Sequence, residues 1–518
     1  MGARTMYCLS SLLILLVTLQ PVPAAKILMK APQLGSHILE QVSLGEELVT
    51  RGHEVYMAIA SRYPKKSSIE KLGIKLLPYK IPDDVLYGIS EDYEKMVAEV
   101  IFDKGQDKMA LSGKTASRIS YDDCAYMMAD ESFLETVRKL KLDLVIVEPF
   151  ILCPCSLILP KYFGIPFVTN AGFYFPWRIG IPALPSFANF LTSWTDLADI
   201  TLISRLSNLL TYVAVDSILA RMAPDNNTLL KRFAPEYKSW NDLLRQSELF
   251  LVGRDQHLGP PIPSMPNYIS VAGLTTAKPK KLPKELEDIA GKSDGIILFS
   301  FGSAGYYFPE EVVVKFLEAF SRLKQTVLLK IFIPDGVKVP ENVKVSSWLP
   351  QNDILGHPKT KLFITHCGIN GQYEALYNGV PMIGFPLFAE QHMNCRRLHK
   401  TGFGLEMKVQ DFTSEQLFLN IQEVLNNPKY RSTIGKASEV FRDQPMSGRE
   451  RGAFWIEHVI EHGGKHLRPL SIDLPLYQFL MLDVFLVIGV GVVVVLLLLR
   501  IVVRYLYNRF TQKKLKTN

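Results

Sequence analysis

The sequence lacks the common nucleotide-binding signatures. Its 518 residues contain neither the Gly-x-Gly-x-x-Gly turn that binds dinucleotides nor the Gly-x-x-x-x-Gly-Lys-Ser/Thr loop that binds nucleoside triphosphates. There is also no Asp-x-Asp pair, a spacing with which many enzymes hold a metal ion against a diphosphate. Any phosphate-binding site must therefore be built from other residues.

The body of the chain carries no net charge. The net charge of +7 comes from the two ends, which hold Arg4 and a tail with Arg500, Arg504, Arg509, Lys513, Lys514 and Lys516 but no acid. A neutral body argues against nucleic acid as a partner, because that binding needs a basic face. A hydrophobic content of 48% argues against disorder, and the length predicts two or three domains.

Cysteine is also scarce. Cys8 lies in an N-terminal segment that we expect to be removed, so five cysteines remain, at positions 124, 153, 155, 367 and 395. Their spacing fits neither a metal site nor a redox Cys-x-x-Cys motif. We therefore expect no disulfide framework, and most of these cysteines to be buried as small apolar residues.

The chain starts with a pattern typical of a secretory signal peptide. Arg4 is the basic flank, residues 8–19 form the apolar stretch, and residues 23–25 are suited to cleavage. We predict a signal peptide over residues 1–25. The alternative is a buried first element, but residues 26–30 already resemble the strand that opens a domain.

A second apolar stretch lies near the other end. Residues 484–499 carry no charge, and extension to residue 503 gives the ~20 residues needed to span a bilayer. A core helix is the alternative, but core helices are rarely apolar on every face. We predict a juxtamembrane segment over residues 464–483, a transmembrane helix over 484–503 and a basic tail over 504–518.

The basic tail predicts the topology and the compartment. Such a tail stays on the cytoplasmic side, which puts the body in the lumen. Lys514 and Lys516 resemble a dilysine retrieval signal, and Asn226 begins a glycosylation acceptor pattern. The predicted location is the endoplasmic reticulum membrane, with a single type I span and the lipid bilayer as a partner.

Between the ends, apolar strands alternate with helices in two halves. This alternation is typical of α/β domains with parallel sheets, whose strand ends meet at a ligand-binding cleft. A lysine- and proline-rich linker over residues 278–286 separates a domain at 26–277 from one at 287–463. Predicted strands cover residues 26–30, 54–60, 144–147, 165–169, 296–301, 327–331, 362–365 and 381–385, and predicted helices cover 37–51, 155–163, 310–323 and 372–377.

Residues 173–254 fit this alternation poorly. They contain apolar helical segments such as residues 206–222. Such an insertion either shapes a substrate pocket or rests on a membrane. Ordinary core helices are an equal alternative.

One strand-to-helix turn in the second half suits an anion. The apolar strand at residues 362–365 runs into His366, and a helix follows Gly371. A helix N-terminus offers free N–H groups and partial positive charge, so an anion can bind there without a metal. Gly368 and Gly371 allow close approach of the backbone, and His366 can donate a hydrogen bond. On these residues alone, an ordinary capped turn is an equal alternative.

The sequence around this turn resembles the signature of the animal UDP-glycosyltransferase family, which includes the UDP-glucuronosyltransferases. The similarity runs from Trp-Leu-Pro-Gln at residues 348–351, through the His366 motif, to Pro-Leu-Phe-Ala-Glu-Gln at 386–391. The resemblance implies two Rossmann-like domains facing across a cleft, the GT-B type, with a signal peptide and a C-terminal span. It implies a UDP-sugar as co-substrate and no metal cofactor.

The resemblance also implies roles for the matching positions. Trp348 would stack on the uracil with Gln351 beside the base, and Glu374 would accept hydrogen bonds from the ribose. Glu390 and Gln391 would contact the donor sugar. The diphosphate would lie against Ser303, His366, Gly368, Asn370 and Gly371.

A second candidate group lies in the first half. His37 follows the first strand and Glu148 ends the strand at residues 144–147, so both lie at the carboxyl edge of the predicted sheet. A carboxylate beside a histidine fixes its tautomer and stabilises the imidazolium. The resemblance implies that His37 is the catalytic base, with an aspartate usual where this chain has Glu148. Asp255 or another acid is the alternative partner.

These residues together imply an inverting transfer. His37 would deprotonate an acceptor hydroxyl, which attacks the anomeric carbon opposite the UDP. Galactose-using relatives tend to carry histidine at the Gln391 position, so glucuronic acid is the first choice of sugar and glucose the second. A lipophilic small-molecule acceptor is expected, because the apolar residues 173–254 would line its site.

Other functions remain open on the sequence. One is a hexosyltransferase that uses UDP-glucose or UDP-galactose on a lipid acceptor, and another is a non-catalytic, membrane-anchored UDP-sugar-binding protein. A hydrolase or epimerase of the same plan fits the signature and the anchor less well. The sequence leaves open whether the chain forms homo- or hetero-oligomers.

Overall fold

The computed structural model describes residues 24–83, 91–102, 108–172, 174–181, 201–210, 214, 227–259, 263–302 and 307–515. Several predicted features lie outside these residues: the signal peptide up to residue 23, Asn226, Ser303 and the last three residues of the tail. Much of the 173–254 region is also outside them, although residues 202–210 within it are helical.

Seven parallel strands form the first sheet. Their order is β3-β2-β1-β4-β5-β6-β7, so the direction of winding reverses at β1. The Leu144–Val147 strand is buried along its whole length, as expected for a sheet covered on both faces. The strands are β1 (Lys26–Lys30), β2 (Glu54–Ala60), β3 (Lys75–Tyr79), β4 (Leu144–Val147), β5 (Phe167–Ala171), β6 (Phe250–Val252) and β7 (Tyr268–Ser270).

Six parallel strands form the second sheet, with the same winding. Their order is β10-β9-β8-β11-β12-β13, and the reversal lies at β8, next to β11. In both sheets the loops at the reversal point leave the carboxyl edge side by side, which is where ligands bind in such folds. The strands are β8 (Ile296–Ser300), β9 (Thr326–Lys330), β10 (Val343–Val345), β11 (Thr360–Thr365), β12 (Met382–Gly384) and β13 (Gly404–Glu406).

Helices pack on both faces of the two sheets. The helices that carry candidate site residues are α1, which follows β1, and α12 and α13, which follow β11 and β12. The named helices are α1 (Gly35–Thr50), α2 (Lys66–Glu70), α3 (Glu91–Phe102), α4 (Lys108–Ala129), α5 (Glu131–Leu140), α6 (Ile158–Phe163), α7 (Asn227–Phe233), α8 (Trp240–Leu244), α9 (Lys284–Lys292), α10 (Glu310–Ser321), α11 (Gln351–Leu355), α12 (Ile369–Tyr377), α13 (Gln391–Lys400), α14 (Ser414–Asn426), α15 (Pro428–Arg442), α16 (Gly448–His462), α17 (Leu476–Phe479) and α18 (Leu482–Leu515).

The prediction of two α/β halves is confirmed. Strands β1, β2 and β4 begin and end at the predicted residues, whereas β5 lies two residues later than predicted. Helix α9 begins at Lys284, inside the stretch predicted as a linker. The strands β3, β6, β7, β10 and β13 were not predicted.

Helix α16 crosses back from the second half to the first. It packs against α1 and β7, and the ideal position of a Cβ atom on Gly452 lies 2.9 Å from Leu44. Arg449 Nη1 lies 3.0 Å from Glu46 Oε2, and Arg449 Nε donates to the Leu274 carbonyl at 2.6 Å. The end of the chain is therefore attached to the half that carries β1.

One helix in the described part of the chain is long and apolar enough to cross a membrane. It is α18, whose residues Leu482–Thr511 have a mean hydropathy of 3.1 in the best window and are not buried against the protein. The segment before it packs on the first half, where Ser471 Oγ donates to the Gly180 carbonyl at 2.8 Å. Phe479 and Leu480 pack against Phe175 and Trp177.

The expectation that the cysteines form no disulfide framework is wrong. Cys124 and Cys155 are bonded, with 6.1 Å between their Cα atoms, and Cys367 is paired with Cys395. Cys153 is the free cysteine in the described residues and is buried. The sequence did not show these pairs because their members are 31 and 28 residues apart and meet only through the packing of helices onto the sheets.

Replacement of Gly404 by alanine should destabilise the second sheet. A Cβ atom at this position would lie 1.7 Å from the backbone oxygen of Met382 on the paired strand β12, so β12 and β13 would have to separate. We expect Gly404→Ala to cost about 3 kcal/mol of unfolding free energy, measured by thermal unfolding of the full chain in detergent.

Gly435→Ala is the matched control. Gly435 lies in α15 with open space around its missing Cβ, so alanine should stabilise the protein by up to about 1 kcal/mol. A melting temperature of the Gly404 variant equal to that of the wild type would refute the described packing.

Candidate active site

The structure brings His37 and Glu148 together at the carboxyl edge of the first sheet. His37 lies in the first turn of α1, and Glu148 directly follows β4, the neighbour of β1. His37 Nδ1 is hydrogen-bonded to Glu148 Oε1. The longer side chain of glutamate therefore still reaches the imidazole. Asp255 is not the partner of His37, because it is hydrogen-bonded to His257 and Tyr373.

Three carboxylates determine the charge of His37. Burial lowers the pKa of His37, but Glu148, through its charge and hydrogen bond, and then the charges of Glu40 and Glu390 raise it from 6.5 to about 9. The other oxygen of Glu148, Oε2, is buried without a hydrogen-bond partner in the described residues. The imidazole therefore carries a proton at neutral pH and is a strong base once it has lost it.

Sequence reasoning missed Glu40. It lies one turn after His37 on α1, is only 7% exposed, and lies close to the Asn370 side chain at the start of α12. Burial and the charge of Glu148 raise the pKa of Glu40 to about 7. A glutamate on a helix normally faces solvent, so no pattern in the sequence distinguished this one.

The turn after β11 leads into a helix as predicted, but α12 begins at Ile369 and not at the predicted residue 372, so Asn370 and Gly371 lie in its first turn. Gly368 is the N-cap residue of α12, and Cys367 before it has a φ angle of 65°. Asn394 Nδ2 donates to the Cys367 carbonyl at 3.1 Å and so holds the turn in place. The start of α12, with its free N–H groups, is thus fixed at the end of β11.

His366 is neutral in this turn. Burial, and then the charge of Lys330, lower its pKa to about 4. Its Nδ1 atom is buried and has no hydrogen-bond partner among the described residues. Gly302 has a φ angle of 75°, and a Cβ atom there would lie 2.7 Å from the imidazole, so only glycine fits beside it. Neutral imidazole can donate one hydrogen bond to an anion without moving.

The residues expected at the nucleoside form a connected group. Gln351 Nε2 donates to Glu374 Oε2 at 2.7 Å, and a Cβ atom on Gly371 would lie 3.3 Å from the same Gln351 nitrogen. Burial raises the pKa of Glu374 to about 7. Trp348 is 60% exposed, which leaves its indole available to a planar ligand.

Glu390 and Gln391 lie where the loop after β12 enters α13. Gln391 is buried, and its Oε1 accepts hydrogen bonds from the backbone N–H groups of Leu387 and Phe388 at 2.9 and 3.2 Å. Gln391 thereby shapes the loop that carries Glu390. The charge of Glu390 acts on both His37 and Glu40, so this loop faces the first half across the cleft.

Some of the predicted residues of the two halves approach each other at these edges. The charge of Glu390 acts on His37 and Glu40 of α1, and the Asn370 side chain at the start of α12 lies close to Glu40. Within the described ranges, no group of three or more His, Cys, Asp or Glu side chains is arranged to hold a metal ion.

Comparison with known sequences identifies the family. The family described as UDP-glucoronosyl and UDP-glucosyl transferase matches residues 25–517. This chain belongs to the UDP-glycosyltransferase family. It is similar to UDP-glucuronosyltransferase 2B17 of Rattus norvegicus, with 30% identity over 94% of each chain. UDP-glycosyltransferase UGT5 of Dactylopius coccus is 36% identical over 70% of each.

Another relative and two solved structures extend the comparison. Human 2-hydroxyacylsphingosine 1-beta-galactosyltransferase is 30% identical over 74% of this chain and 72% of its own. The glycosyltransferase VinC in complex with DTDP gives a TM-score of 0.58 at 17% identity, covering 85% of this chain and all of VinC. A UDP-glucosyltransferase from Polygonum tinctorium gives 0.56 at 18% identity, covering 85% and 99%. This UDP-glycosyltransferase therefore has the GT-B fold.

Replacement of Glu148 by glutamine should lower the pKa of His37. Glu148 is the largest of the groups that raise it, so we expect the titration of His37 to move from about pH 9 to a lower pH in Glu148→Gln. The pH dependence of diethyl pyrocarbonate modification, followed by mass spectrometry of the peptide that carries His37, measures the shift.

The peptide that carries His458, on α16, is the internal control and should titrate alike in both proteins. An unchanged inflection for His37 would contradict the pairing of His37 with Glu148.

Proposed function

We propose that this UDP-glycosyltransferase transfers a sugar from a UDP-sugar to a hydroxyl group of a lipophilic small molecule, with inversion and without a metal ion. The single observation that carries the proposal is the His37–Glu148 hydrogen bond at the edge of the first sheet, where the charge of Glu390 from the second half also acts on His37. The proposed site combines His37, as a base for the acceptor, with the start of α12, as an anion site for the leaving group.

His37 is the proposed catalytic base. Its Nδ1 is held by Glu148, so Nε2 is the atom that takes the proton from the acceptor hydroxyl. Because the imidazole is protonated at neutral pH, it must first release its own Nε2 proton to solvent. Glu148 then stabilises the imidazolium that forms. A pKa of about 9 for His37 lies close to the value of ~10 for a phenol, which favours proton transfer from a phenolic acceptor.

The reaction is a single displacement. The acceptor oxygen forms a bond to the anomeric carbon while the bond from that carbon to the diphosphate oxygen breaks, so an α-linked donor gives a β-glycoside. UDP leaves with the bonding electron pair, and the acceptor proton stays on His37. The N–H groups at the start of α12 and the neutral His366 stabilise the charge on the departing diphosphate.

The other predicted residues are proposed to hold the donor. Trp348 stacks on the uracil, and the linked pair of Gln351 and Glu374 binds the base edge and the ribose. Glu390 and Gln391 contact the sugar. The remaining donor contacts are assigned to Ser303, Gly368, Asn370 and Gly371.

Glucuronic acid is the proposed sugar, with glucose as the second choice. The 30% identity to the rat UDP-glucuronosyltransferase supports glucuronic acid. The glutamine at position 391 supports both glucuronic acid and glucose. The relative named for galactosyl transfer to 2-hydroxyacylsphingosine supports a second candidate, a hexosyltransferase with a lipid acceptor. A non-catalytic UDP-sugar-binding protein is disfavoured by the intact contact between His37 and Glu148.

We propose that the protein works on the lumenal side of the endoplasmic reticulum, held by a type I anchor. Helix α18 is the proposed span, and the proposed signal peptide and glycosylated Asn226 agree with a lumenal body. The basic tail with Lys514 and Lys516 would lie in the cytoplasm.

Replacement of His37 by alanine should separate binding from chemistry. We expect His37→Ala to keep UDP-sugar binding and to lose at least about a hundredfold in transfer rate, because a general base contributes that much or more. Microsomes carrying the full chain, a phenolic acceptor and a panel of UDP-sugars measure the rate and identify the sugar. Full turnover of the variant would remove His37 as the base.

Replacement of Trp348 by alanine should weaken UDP binding. A stacked base is worth about 1–3 kcal/mol, so we expect a loss of roughly tenfold or more in affinity. Titration calorimetry with UDP measures it, and Val345→Ala, at an exposed position on β10, is the control. Equal affinities of Trp348→Ala and the wild type would exclude Trp348 from the uracil site.

A further inference from the structure

The side-chain amide of Asn394 lies where three segments of the chain meet. Asn394 belongs to α13 and is only 1% exposed. Its Nδ2 donates to the Cys367 carbonyl at 3.1 Å, in the turn between β11 and α12. Its Oδ1 accepts from Arg254 Nη2 at 3.2 Å, and Arg254 belongs to the loop after β6 in the first half. One amide therefore connects the first half with the turn at the start of α12.

The two partners determine the orientation of this amide. A guanidinium group can only donate hydrogen bonds, and a backbone carbonyl can only accept them. An Asn394 amide rotated by 180° would place its NH2 group against Arg254 and its oxygen against the Cys367 carbonyl. Both contacts would then be repulsive. Arg254 thus favours the orientation in which the NH2 group of Asn394 points at the turn.

The peptide between Cys367 and Gly368 is the part of the turn that Asn394 holds. Cys367 has a φ angle of 65°, a left-handed conformation that is unfavourable for a residue with a Cβ atom. In a planar trans peptide, the C=O and N–H bonds point in opposite directions. The hydrogen bond from Asn394 to the Cys367 carbonyl therefore directs the Gly368 N–H group away from Asn394. Rotation of the peptide plane would put a carbonyl oxygen where this N–H group is.

We infer that Asn394 is a positioning residue of the diphosphate site, and that Arg254 holds it in its working orientation from the other half of the protein. With the amide held, the Gly368 N–H group is available to a phosphate oxygen. With the peptide rotated, the partial negative charge of the Cys367 carbonyl would repel the phosphate. The inference rests on the proposed function, in which the start of α12 binds the diphosphate, and it makes the affinity for UDP depend on a residue of the first half.

Titration calorimetry of the full-length protein with UDP tests the role of Asn394. Asn394→Leu keeps the approximate volume and adds no charge, but it removes both hydrogen bonds. We expect the Kd for UDP to rise about tenfold, because the rotated peptide becomes populated and does not bind. Asn426→Leu, at the exposed end of α14, is the matched control and should bind UDP as the wild type does. Thermal unfolding shows whether each variant is folded.

Two variants of Arg254 test the orientation of the amide. Arg254→Lys can still only donate, so we expect it to keep the wild-type Kd within about twofold. Arg254→Gln can accept as well as donate, so it should raise the Kd about threefold. The same two changes made together with Asn394→Leu separate this effect from that of the lost charge. The difference between lysine and glutamine should disappear there, whereas a purely electrostatic effect of residue 254 would persist.

Two results would overturn the inference while UDP binding by the wild type leaves the donor site standing. One is an unchanged Kd for folded Asn394→Leu. The other is a difference between the lysine and glutamine variants that is absent in the wild-type background or equally large beside Asn394→Leu. If Asn394→Leu does not fold, equal Kd values of the two single Arg254 variants would still overturn it. Failure of the wild type to bind UDP would overturn the donor site as well.

Discussion

The parallel winding of the two sheets is the constraint on which the site depends. Each sheet reverses its winding at its first strand, so the loops after β1 and β4, and after β8 and β11, leave on the same edge. His37 and Glu148 come from one pair of loops, and Gly302 and His366 from the other. The two edges approach each other where Glu390 acts on His37 and Glu40, and residues far apart in the chain are brought together there.

Charge within the cleft is distributed unequally between the halves. The first half supplies Glu40 and Glu148 around a protonated imidazole, whereas the second supplies a helix start and a histidine whose low pKa keeps it neutral. In the proposed reaction, the strongly basic group takes the proton of the hydroxyl, and the uncharged donors bind the phosphates.

Much of this fold could be predicted from the sequence, and the failures have a physical pattern. Central strands such as β1, β2 and β4 are buried on both faces and form continuous apolar runs. Of the five strands that were missed, β3, β7, β10 and β13 lie at sheet edges, where polar residues such as those of Lys75–Tyr79 are tolerated. The candidate donor-binding residues could be picked out because they lie in a long stretch that resembles the family signature, residues 348–391. Glu40 and the disulfides depend on contacts between distant segments, which no local pattern records.

The return of α16 to the first half has a mechanical consequence. The stretch from α16 to α18 packs on the sheet of β1, so the candidate membrane helix and the first half form one unit. The chain passes between this unit and the second half before α9 and again between α15 and α16. In the proposed reaction, a lipophilic alcohol that arrives from the bilayer would therefore first reach the half that is attached to the span.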